Sequence, residues 1–144
     1  SWLLTKGVDV SDIYKRVLQM NTRANFELRK IIIDRMEFLF DNKITFTYIT
    51  LDDMKKANAA SGDHEGLVEV GRDIEGVAVS IFLREIDGGF KVSLRSNNDI
   101  NVSDVAINFN GGGHRRAAGC NIMENFELAK QKIIKAVETE IKRS

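Results

Sequence analysis

The stretch of sequence that decides the fold is VAVSIFLREIDGGFKVSLRS, residues 77–96. Both halves of it are rich in β-branched and aromatic residues, which favour strands. Between them lies Asp-Gly-Gly at 87–89, a sequence typical of a tight hairpin turn. Apolar and polar residues alternate in the second half, so one side of that strand is predicted to be buried and the other polar. We therefore predict a β-hairpin with strands over 77–85 and 90–96.

The rest of the chain surrounds this hairpin with helices and two further strands. Apolar spacing and capping side chains predict helices over 8–20, 22–42, 52–58, 63–70, 103–109 and 125–141, and β-rich runs predict strands over 44–51 and 117–123. This order favours an α/β fold: a mixed sheet with a β-hairpin, flanked by helices and preceded by a helical linker. Apolar residues of the 22–42 helix cover more than one face, as in a helix between two lobes or at the centre of one domain.

Composition and charge limit the classes of function. The 144 residues suit one compact domain, and 21 Lys and Arg against 21 Asp and Glu give a net charge of zero. A long surface for duplex nucleic acid needs a basic excess and is therefore disfavoured, whereas a local basic pocket is not. The single cysteine, Cys120, excludes an intramolecular disulfide, is predicted to be buried and fits a cytoplasmic protein. No apolar run is long enough to span a membrane.

A glycine-rich stretch, NGGGHRRAAG at 110–119, carries the clearest chemistry. Consecutive glycines expose backbone N–H groups that can surround an anion, and arginine is a forked donor matched to phosphate. A mobile glycine turn beside a basic surface is the structural alternative. The end of the second hairpin strand adds a guanidinium and a hydroxyl, unless it belongs to a solvated sheet face. The candidate phosphate-binding residues are Arg95, Ser96, Gly111, Gly112, Gly113 and His114, followed by Asn97 and Arg115.

Complete catalytic machinery is not visible in the sequence. The two histidines, His64 and His114, lie far apart and lack flanking metal ligands. There is no nucleophile elbow, and no Gly-Lys-Ser/Thr follows the glycine stretch. The residues by themselves predict binding without catalysis, so no catalytic residue and no metal ligand is assigned to this chain. The roles of His64 and Cys120 stay open, although an ordinary surface position is the simpler interpretation of His64.

Several segments taken together resemble the DHH-associated C-terminal domain. That domain is the substrate-binding lobe of DHH-family phosphoesterases, in the branch of RecJ-like enzymes, oligoribonucleases and bisphosphonucleotide phosphatases. The similarity covers the chain from about residue 44 to its end, and the order of the motifs is more specific than any one of them. The segments are DHEGLV at 63–68, KVSLRS at 91–96, VSDVA at 102–106, GGGH at 111–114 and AAG at 117–119.

The resemblance implies a division of the chain. Residues 1–42 would be the helical tail of a catalytic lobe together with its connecting helix, and residues 43–144 the substrate-binding domain. In that family the catalytic lobe carries Asp and His metal ligands, usually with manganese; this chain would lack that lobe and bind no cofactor itself. The chain opens on the apolar sequence Trp-Leu-Leu at 2–4 without an initial methionine, so we expect a fragment whose partner surface is missing.

The resemblance also implies roles for the candidate residues. Arg95 and Ser96 would hold substrate phosphate or lie near the base. Gly112 and Gly113 would offer backbone N–H groups, and His114 would contact phosphate or base. Two positions depart from the family pattern: Asn110 replaces a glycine of many members, and His64 a small hydroxyl residue. Asparagine tolerates left-handed backbone, so the loop should form with Asn110.

We therefore expect the substrate-binding lobe of a metal-dependent phosphodiesterase or phosphatase. Its substrates would be short oligonucleotides or phosphorylated nucleotides: nanoRNA, bisphosphonucleotides or cyclic dinucleotides, among which the sequence does not choose. The expected partners are the missing DHH lobe and the single-stranded nucleic acid or nucleotide, with no membrane, and the full-length protein could form a homodimer. A nucleotide- or RNA-binding module without catalysis is the alternative, followed by a structural or dimerisation domain. The chain alone is predicted to be inactive.

Overall fold

The computed structural model describes residues 22–144. Its helices are α1 (Arg23–Arg35), α2 (Leu51–Lys56), α3 (Leu67–Arg72), α4 (Val102–Ile107) and α5 (Phe126–Arg143). Its strands are β1 (Glu37–Leu39), β2 (Ile44–Ile49), β3 (Val79–Ile86), β4 (Gly89–Ser96), β5 (Gly112–His114) and β6 (Ala117–Ile122). The helix predicted over 8–20 lies outside the described residues.

The six strands form one open mixed sheet in the order β1-β2-β3-β4-β6-β5. Strands β2 and β3 are parallel, and every other neighbouring pair is antiparallel. The predicted hairpin is confirmed: β3 and β4 pair along their whole length, from Val79 opposite Ser96 to Ile86 opposite Gly89. Gly88 in the turn has φ 82°, which favours glycine. The α/β fold with a mixed sheet, a hairpin and flanking helices is therefore confirmed.

Each face of the sheet has its own apolar core. The alternation of β4 buries Phe90, Val92 and Leu94 against α4 and α5. The predicted apolar stripe of α5 contributes to this core, and Asn125 caps that helix as predicted, its side chain accepting a hydrogen bond from Leu128 N. On the opposite face, a smaller core joins helices α1 and α3 to β2 and β3. Its fully or largely buried members are Leu28, Ile32, Ile49, Leu67, Val68 and Phe82.

The prediction of a helix over 22–42 is wrong in its second half. Thr22 caps α1 through Asn25 N, as its sequence position suggests, but the helix ends at Arg35. Residues 37–39 instead pair antiparallel with β2, and residues 40–42 form the connecting turn with positive φ values. Asp and Asn tolerate that backbone, and pairing with β2 replaces the helical hydrogen bonds. Leu28 and Ile32 are buried, whereas Phe26 and Ile33 are 54% and 59% exposed, so the described structure covers one face of α1.

Other helix starts also differ from the prediction. Helix α3 begins at Leu67 after Gly66, whose φ is 83°, and not at Asp63. The Asp63 carboxylate instead accepts from Ala60 N at 2.8 Å within the preceding turn. Helix α4 is capped by Asn101 rather than Ser103, because the Asn101 side chain accepts from Ser103 N at 3.0 Å. Local turns determine where these short helices begin, and the spacing of apolar residues does not predict such turns.

Candidate functional site

The polar side of the hairpin belongs to a face of the sheet that the described helices cover only in part. Helices α1 and α3 cover this face over β2 and β3, whereas the described residues contain no helix packed on it over β6 and β5. Strand register places Arg95 beside Ala117, which pairs in turn with His114. Directly opposed residues share a face, so Arg95 and His114 lie on the same side with a small residue between them. Two strand spacings separate their backbones, about 10 Å.

The next row of the same face is nearly free of side chains. Ser93 lies opposite Gly119, which lies opposite Gly112. A Cβ on Gly112 would meet nothing within 4 Å, so its backbone borders open space. A ligand can therefore lie directly against the sheet over this row of small residues, next to Arg95.

A cavity of about 540 Å³ lies over the β3–β4 part of this face, against α3 and α1. Of the candidate phosphate-binding residues, only Arg95 lines it; the glycine stretch and His114 lie outside its lining. Its lining includes five Arg or Lys side chains and three carboxylates, so positive groups predominate. The charged lining residues are Arg29, Arg72, Arg84, Lys91 and Arg95, with Glu65, Glu69 and Asp73. The polar side of β4, predicted from the sequence, is thus one wall of a cationic cavity, which favours an anionic ligand.

Arg95 is held in position by groups of the protein. Its Nε donates to Glu69 Oε1 at 2.9 Å, and its Nη1 donates to the carbonyl oxygen of Leu94 at 2.9 Å. Within residues 22–144, Nη2 has no hydrogen-bond partner. Glu69 Oε2 is buried and also unpaired within the described part of the chain. The guanidinium is therefore oriented by one carboxylate oxygen and keeps a donor for a ligand.

Ser96, Asn97 and Arg115 are engaged inside the fold. Ser96 is 3% exposed, lies on the face opposite to Arg95, and its hydroxyl donates to Ile100 O at 2.7 Å. The Asn97 amide nitrogen donates to Arg72 O and Val77 O, and Arg115 Nη2 donates to Asp99 O at 2.7 Å. All three side chains are thus bonded to backbone carbonyl oxygens of the protein itself.

The three consecutive glycines have different environments. A Cβ on Gly111 would overlap the carbonyl oxygen of Gly119, and Gly111 N donates to Ala106 O at 2.9 Å. Gly113 has φ 146°, and a Cβ there would lie 2.6 Å from both Ala117 O and Ala118 Cα. Gly111 and Gly113 are thus required by the backbone, whereas Gly112 is open. Asn110 adopts φ 61°, which confirms that asparagine is accommodated at the start of the loop.

Sequence reasoning missed the other end of the cavity. Arg84 of β3 and Lys91 of β4 are directly opposed in the hairpin and line the cavity together with half-buried His64. Burial lowers the pKa of His64, and the positive charges of Arg84 and Lys91 lower it further, while Glu65 opposes them. A two-residue turn fixes the opposition of Arg84 and Lys91, so the hairpin sequence itself contained this signal.

Two further expectations concern cysteine and metals. Cys120 is buried as predicted, and burial raises the pKa of its thiol to about 11, so it is an unreactive core residue. Residues 22–144 contain no group of three or more His, Cys, Asp or Glu side chains that could hold a metal ion. In the same range, no helix is both long and apolar enough to cross a membrane.

The sequence pattern of the DHHA1 domain matches residues 30–143. The chain belongs to the DHHA1 domain family. This confirms the resemblance to the DHH-associated C-terminal domain that the motifs indicated. The match begins within α1, before residue 44, where the similarity of the motifs begins. The predicted division at residues 42 and 43 stays a prediction.

This DHHA1 domain is similar to several longer proteins. It is 31% identical over 143 residues to the bifunctional oligoribonuclease and PAP phosphatase NrnA of Thermus thermophilus, covering 99% of this chain and 42% of NrnA. An exopolyphosphatase-related protein from Bacteroides fragilis matches with TM-score 0.81 and 32% identity, over 95% of this chain and 41% of that one. The pGpG-specific phosphodiesterase PggH of Vibrio cholerae shares the fold, with TM-score 0.61 and 12% identity over 94% of this chain and 45% of PggH. The chain thus spans less than half the length of these proteins.

Proposed function

We propose that this DHHA1 domain is the substrate-binding lobe of a metal-dependent phosphodiesterase or phosphatase. Its substrates would be short oligonucleotides or phosphorylated nucleotides, with nanoRNA, bisphosphonucleotides and cyclic dinucleotides as the candidates. The observation that carries the proposal is the open sheet face on which Arg95, Gly112 and His114 lie around a small-residue surface. The similarity to NrnA, whose name describes an oligoribonuclease and phosphatase, supports the same class of substrate.

Each residue of the face has a distinct part in this proposal. The forked guanidinium of Arg95 matches a phosphate, and its free Nη2 donates to a phosphate oxygen. The backbone of Gly112 contacts the ligand closely because no side chain intervenes. His114 contacts phosphate or base from the edge strand β5. Gly111 and Gly113 are required by the backbone of the loop. The side chains of Ser96, Asn97 and Arg115 are engaged by backbone carbonyl oxygens and are assigned no contact with the ligand.

Hydrolysis itself is assigned to a part of the protein outside this chain. The described residues offer no metal-binding group, so manganese would be bound by the DHH lobe of the same protein. A metal ion bound there would supply the activated water that phosphoester hydrolysis needs. This chain contributes the opposite wall of the cleft, where it binds and orients the phosphorylated substrate.

Binding at the face is tested by a double-mutant cycle on Arg95 and His114. Each charge-assisted hydrogen bond contributes about 1.5–3 kcal/mol. We therefore expect Arg95→Ala or His114→Ala to weaken binding of a mononucleotide about tenfold or more in calorimetry. Because both groups contact one ligand, the double variant should deviate from the sum of the single losses. Arg95→Lys keeps the charge but loses the fork, so an intermediate loss is expected.

The control for this cycle is Arg143→Ala, at the exposed end of α5 on the opposite side of the sheet. It should bind with the parent affinity. If both single variants at the face also bind normally while circular dichroism shows an intact fold, the shared site is wrong and a structural role for the domain is favoured.

Catalysis is tested by release of mononucleotide from a short RNA in the presence of manganese. The natural full-length protein should release it, and Arg95→Ala in that protein should lower kcat/KM about tenfold or more. The 144-residue chain alone should show no turnover, since no metal group is found in its described residues. Activity of the purified chain would contradict the assignment of hydrolysis to another lobe. Tight nucleotide binding without turnover by the full-length protein would favour the binding module without catalysis.

A further inference from the structure

Two cations of the hairpin face each other without compensation. Arg84 on β3 and Lys91 on β4 are Cα partners, so their Cβ atoms lie about 5 Å apart on one face. Like charges in directly opposed positions destabilise a strand pair. Within residues 22–144 neither side chain has a hydrogen-bond or ion-pair partner, although both line the cavity. The two positive charges therefore lie where their mutual repulsion destabilises the pairing of β3 with β4.

The other cations of the cavity do have partners. Arg95 donates to Glu69, Arg72 to Asp73, and Arg29 to the side-chain oxygen of Asn25. The contrast separates Arg84 and Lys91 from the general positive charge of the lining. A ligand can therefore engage every donor of Arg84 and Lys91, whereas Arg95 offers only its free Nη2.

Neighbouring carboxylates do not neutralise the pair. Glu85 follows Arg84 on the strand and lies on the opposite face, where its Oε1 accepts from Leu51 N at 2.8 Å. Glu69 is engaged by Arg95, and Glu65 lines the cavity without an ion pair to either cation. Half-buried His64 lies near both cations, and their positive charges contribute to lowering its pKa. An anion placed among these three groups would meet donors from β3, β4 and the turn before α3.

We propose that Arg84 and Lys91, with His64, form a second anion subsite that binds a phosphate group of the nucleotide ligand. It is distinct from the contacts at Arg95 and His114, because Lys91 and Arg95 are four residues apart on one strand, about 13 Å. A ligand that engages both ends of the cavity therefore carries at least two phosphate groups. The inference rests on the proposed function and narrows it: a dinucleotide or a bisphosphorylated nucleotide binds better than a monophosphate.

The test is calorimetric titration of the natural full-length protein with AMP, adenosine 3′,5′-bisphosphate and the 5′-phosphorylated dinucleotide pApA. The variants are Lys91→Gln and Arg84→Gln, and the matched control is Lys135→Gln, an exposed lysine on α5 without an ion-pair partner in the described residues. Lys91→Gln and Arg84→Gln should each weaken binding of pApA or of the bisphosphate about tenfold while changing AMP affinity less than threefold. The control should bind all three ligands as the parent does. Which two-phosphate ligand responds identifies the source of the second phosphate.

Stability gives an independent readout. Removal of one of two opposed like charges should leave Tm unchanged or raise it. A drop in affinity with an unchanged or higher Tm therefore supports a binding role, whereas a lower Tm with unchanged affinity assigns the pair to the fold and overturns the inference.

Failure of the inference is distinguishable from failure of the proposed function. If AMP binds through Arg95 but neither Lys91→Gln nor Arg84→Gln changes the affinity for any two-phosphate ligand, the second subsite is wrong and the proposed function stands. Equal losses for AMP and the two-phosphate ligands also overturn it, because one phosphate would then occupy this end. If the parent protein binds none of the three, both the proposed function and the inference fail.

Discussion

Single residues on the open face differ in how their charge is held. Arg95 is fixed by Glu69, so a phosphate meets a guanidinium that is already oriented but must share it with a carboxylate. Arg84 and Lys91 have no such partner in the described structure; they repel each other and, together with burial, lower the pKa of His64. The first arrangement favours precise positioning of one phosphate, and the second favours attraction of negative charge in general.

The protonation of His64 should make stability depend on pH. Burial, Arg84 and Lys91 lower its pKa below the ordinary value of 6.5, so the unfolded state binds a proton more readily than the folded state. The free energy of unfolding should therefore fall as the pH drops below about 6.5, and should not depend on this group above it. Urea unfolding of the parent and of His64→Gln between pH 7.5 and 5.5 measures the difference.

The expected result is a decline in the parent that is smaller in His64→Gln. His114→Gln is the matched control, since it leaves His64 and its neighbours in place and should retain the parent decline attributable to His64. A His64→Gln variant with the full parent decline would show that other groups cause it.

At the same scale, the alternation of a strand decided which candidate residues could act together. Ser96 follows Arg95 directly, so the two side chains must lie on opposite faces of β4, and the burial of Ser96 confirms this. The period of two was visible in the sequence, yet the resemblance placed both residues at the phosphate. By contrast, the pairing of Arg95 with Glu69 joins residues 26 positions apart and follows only from the packing of α3 on the sheet.

At the scale of elements, the glycine loop separates a structural from a ligand-facing requirement. Gly113→Ala would place a Cβ 2.6 Å from Ala117 O and would strain a backbone with φ 146°. We expect a loss of about 1–3 kcal/mol in the free energy of unfolding. Gly112→Ala is the matched change one residue earlier, where the new Cβ meets nothing within 4 Å, so its stability should stay within about 0.5 kcal/mol of the parent.

The two variants should therefore have different effects: Gly113→Ala lowers stability, whereas Gly112→Ala lowers nucleotide affinity. Gly112→Ala should weaken nucleotide binding in calorimetry while its urea midpoint is unchanged, because the methyl group enters the space proposed for the ligand. A parent midpoint for Gly113→Ala would contradict the loop geometry. Parent affinity for Gly112→Ala would remove Gly112 from the proposed contacts.

Elements with strong local patterns were predictable, and those defined by pairing were not. The hairpin, β2, β6 and α5 each contain enough alternating or helically spaced apolar residues to be recognised. Strands β1 and β5 have only three residues each and exist because neighbouring strands supply their hydrogen bonds. The apolar residues between 26 and 40 matched a helix, and pairing of residues 37–39 with β2 decided otherwise.

At the scale of the whole molecule, α1 connects the beginning of the described chain to the sheet. Leu28 and Ile32 are fully buried in the core that also contains Phe82 of β3. The ion pair of Arg35 with Asp53 joins the end of α1 to α2. Burial alone would raise the pKa of Asp53, but hydrogen bonds from Arg35 and Thr50 outweigh it and lower that pKa. These contacts favour one cooperative folding unit that includes residues 22–42 as well as the sheet.

Cooperativity can be measured with a matched pair of substitutions on α1. Leu28→Ala removes a fully buried side chain from the core between α1 and the sheet, and such changes typically cost about 2–5 kcal/mol. Phe26→Ala, two residues earlier, truncates a side chain that is 54% exposed and should cost less than about 0.5 kcal/mol. If α1 folds with the sheet, Leu28→Ala lowers the midpoint of a single urea transition seen by both far-ultraviolet and near-ultraviolet circular dichroism. If residues 1–42 instead belong to another lobe, as the resemblance suggested, the main transition keeps its midpoint and only a smaller, earlier change appears.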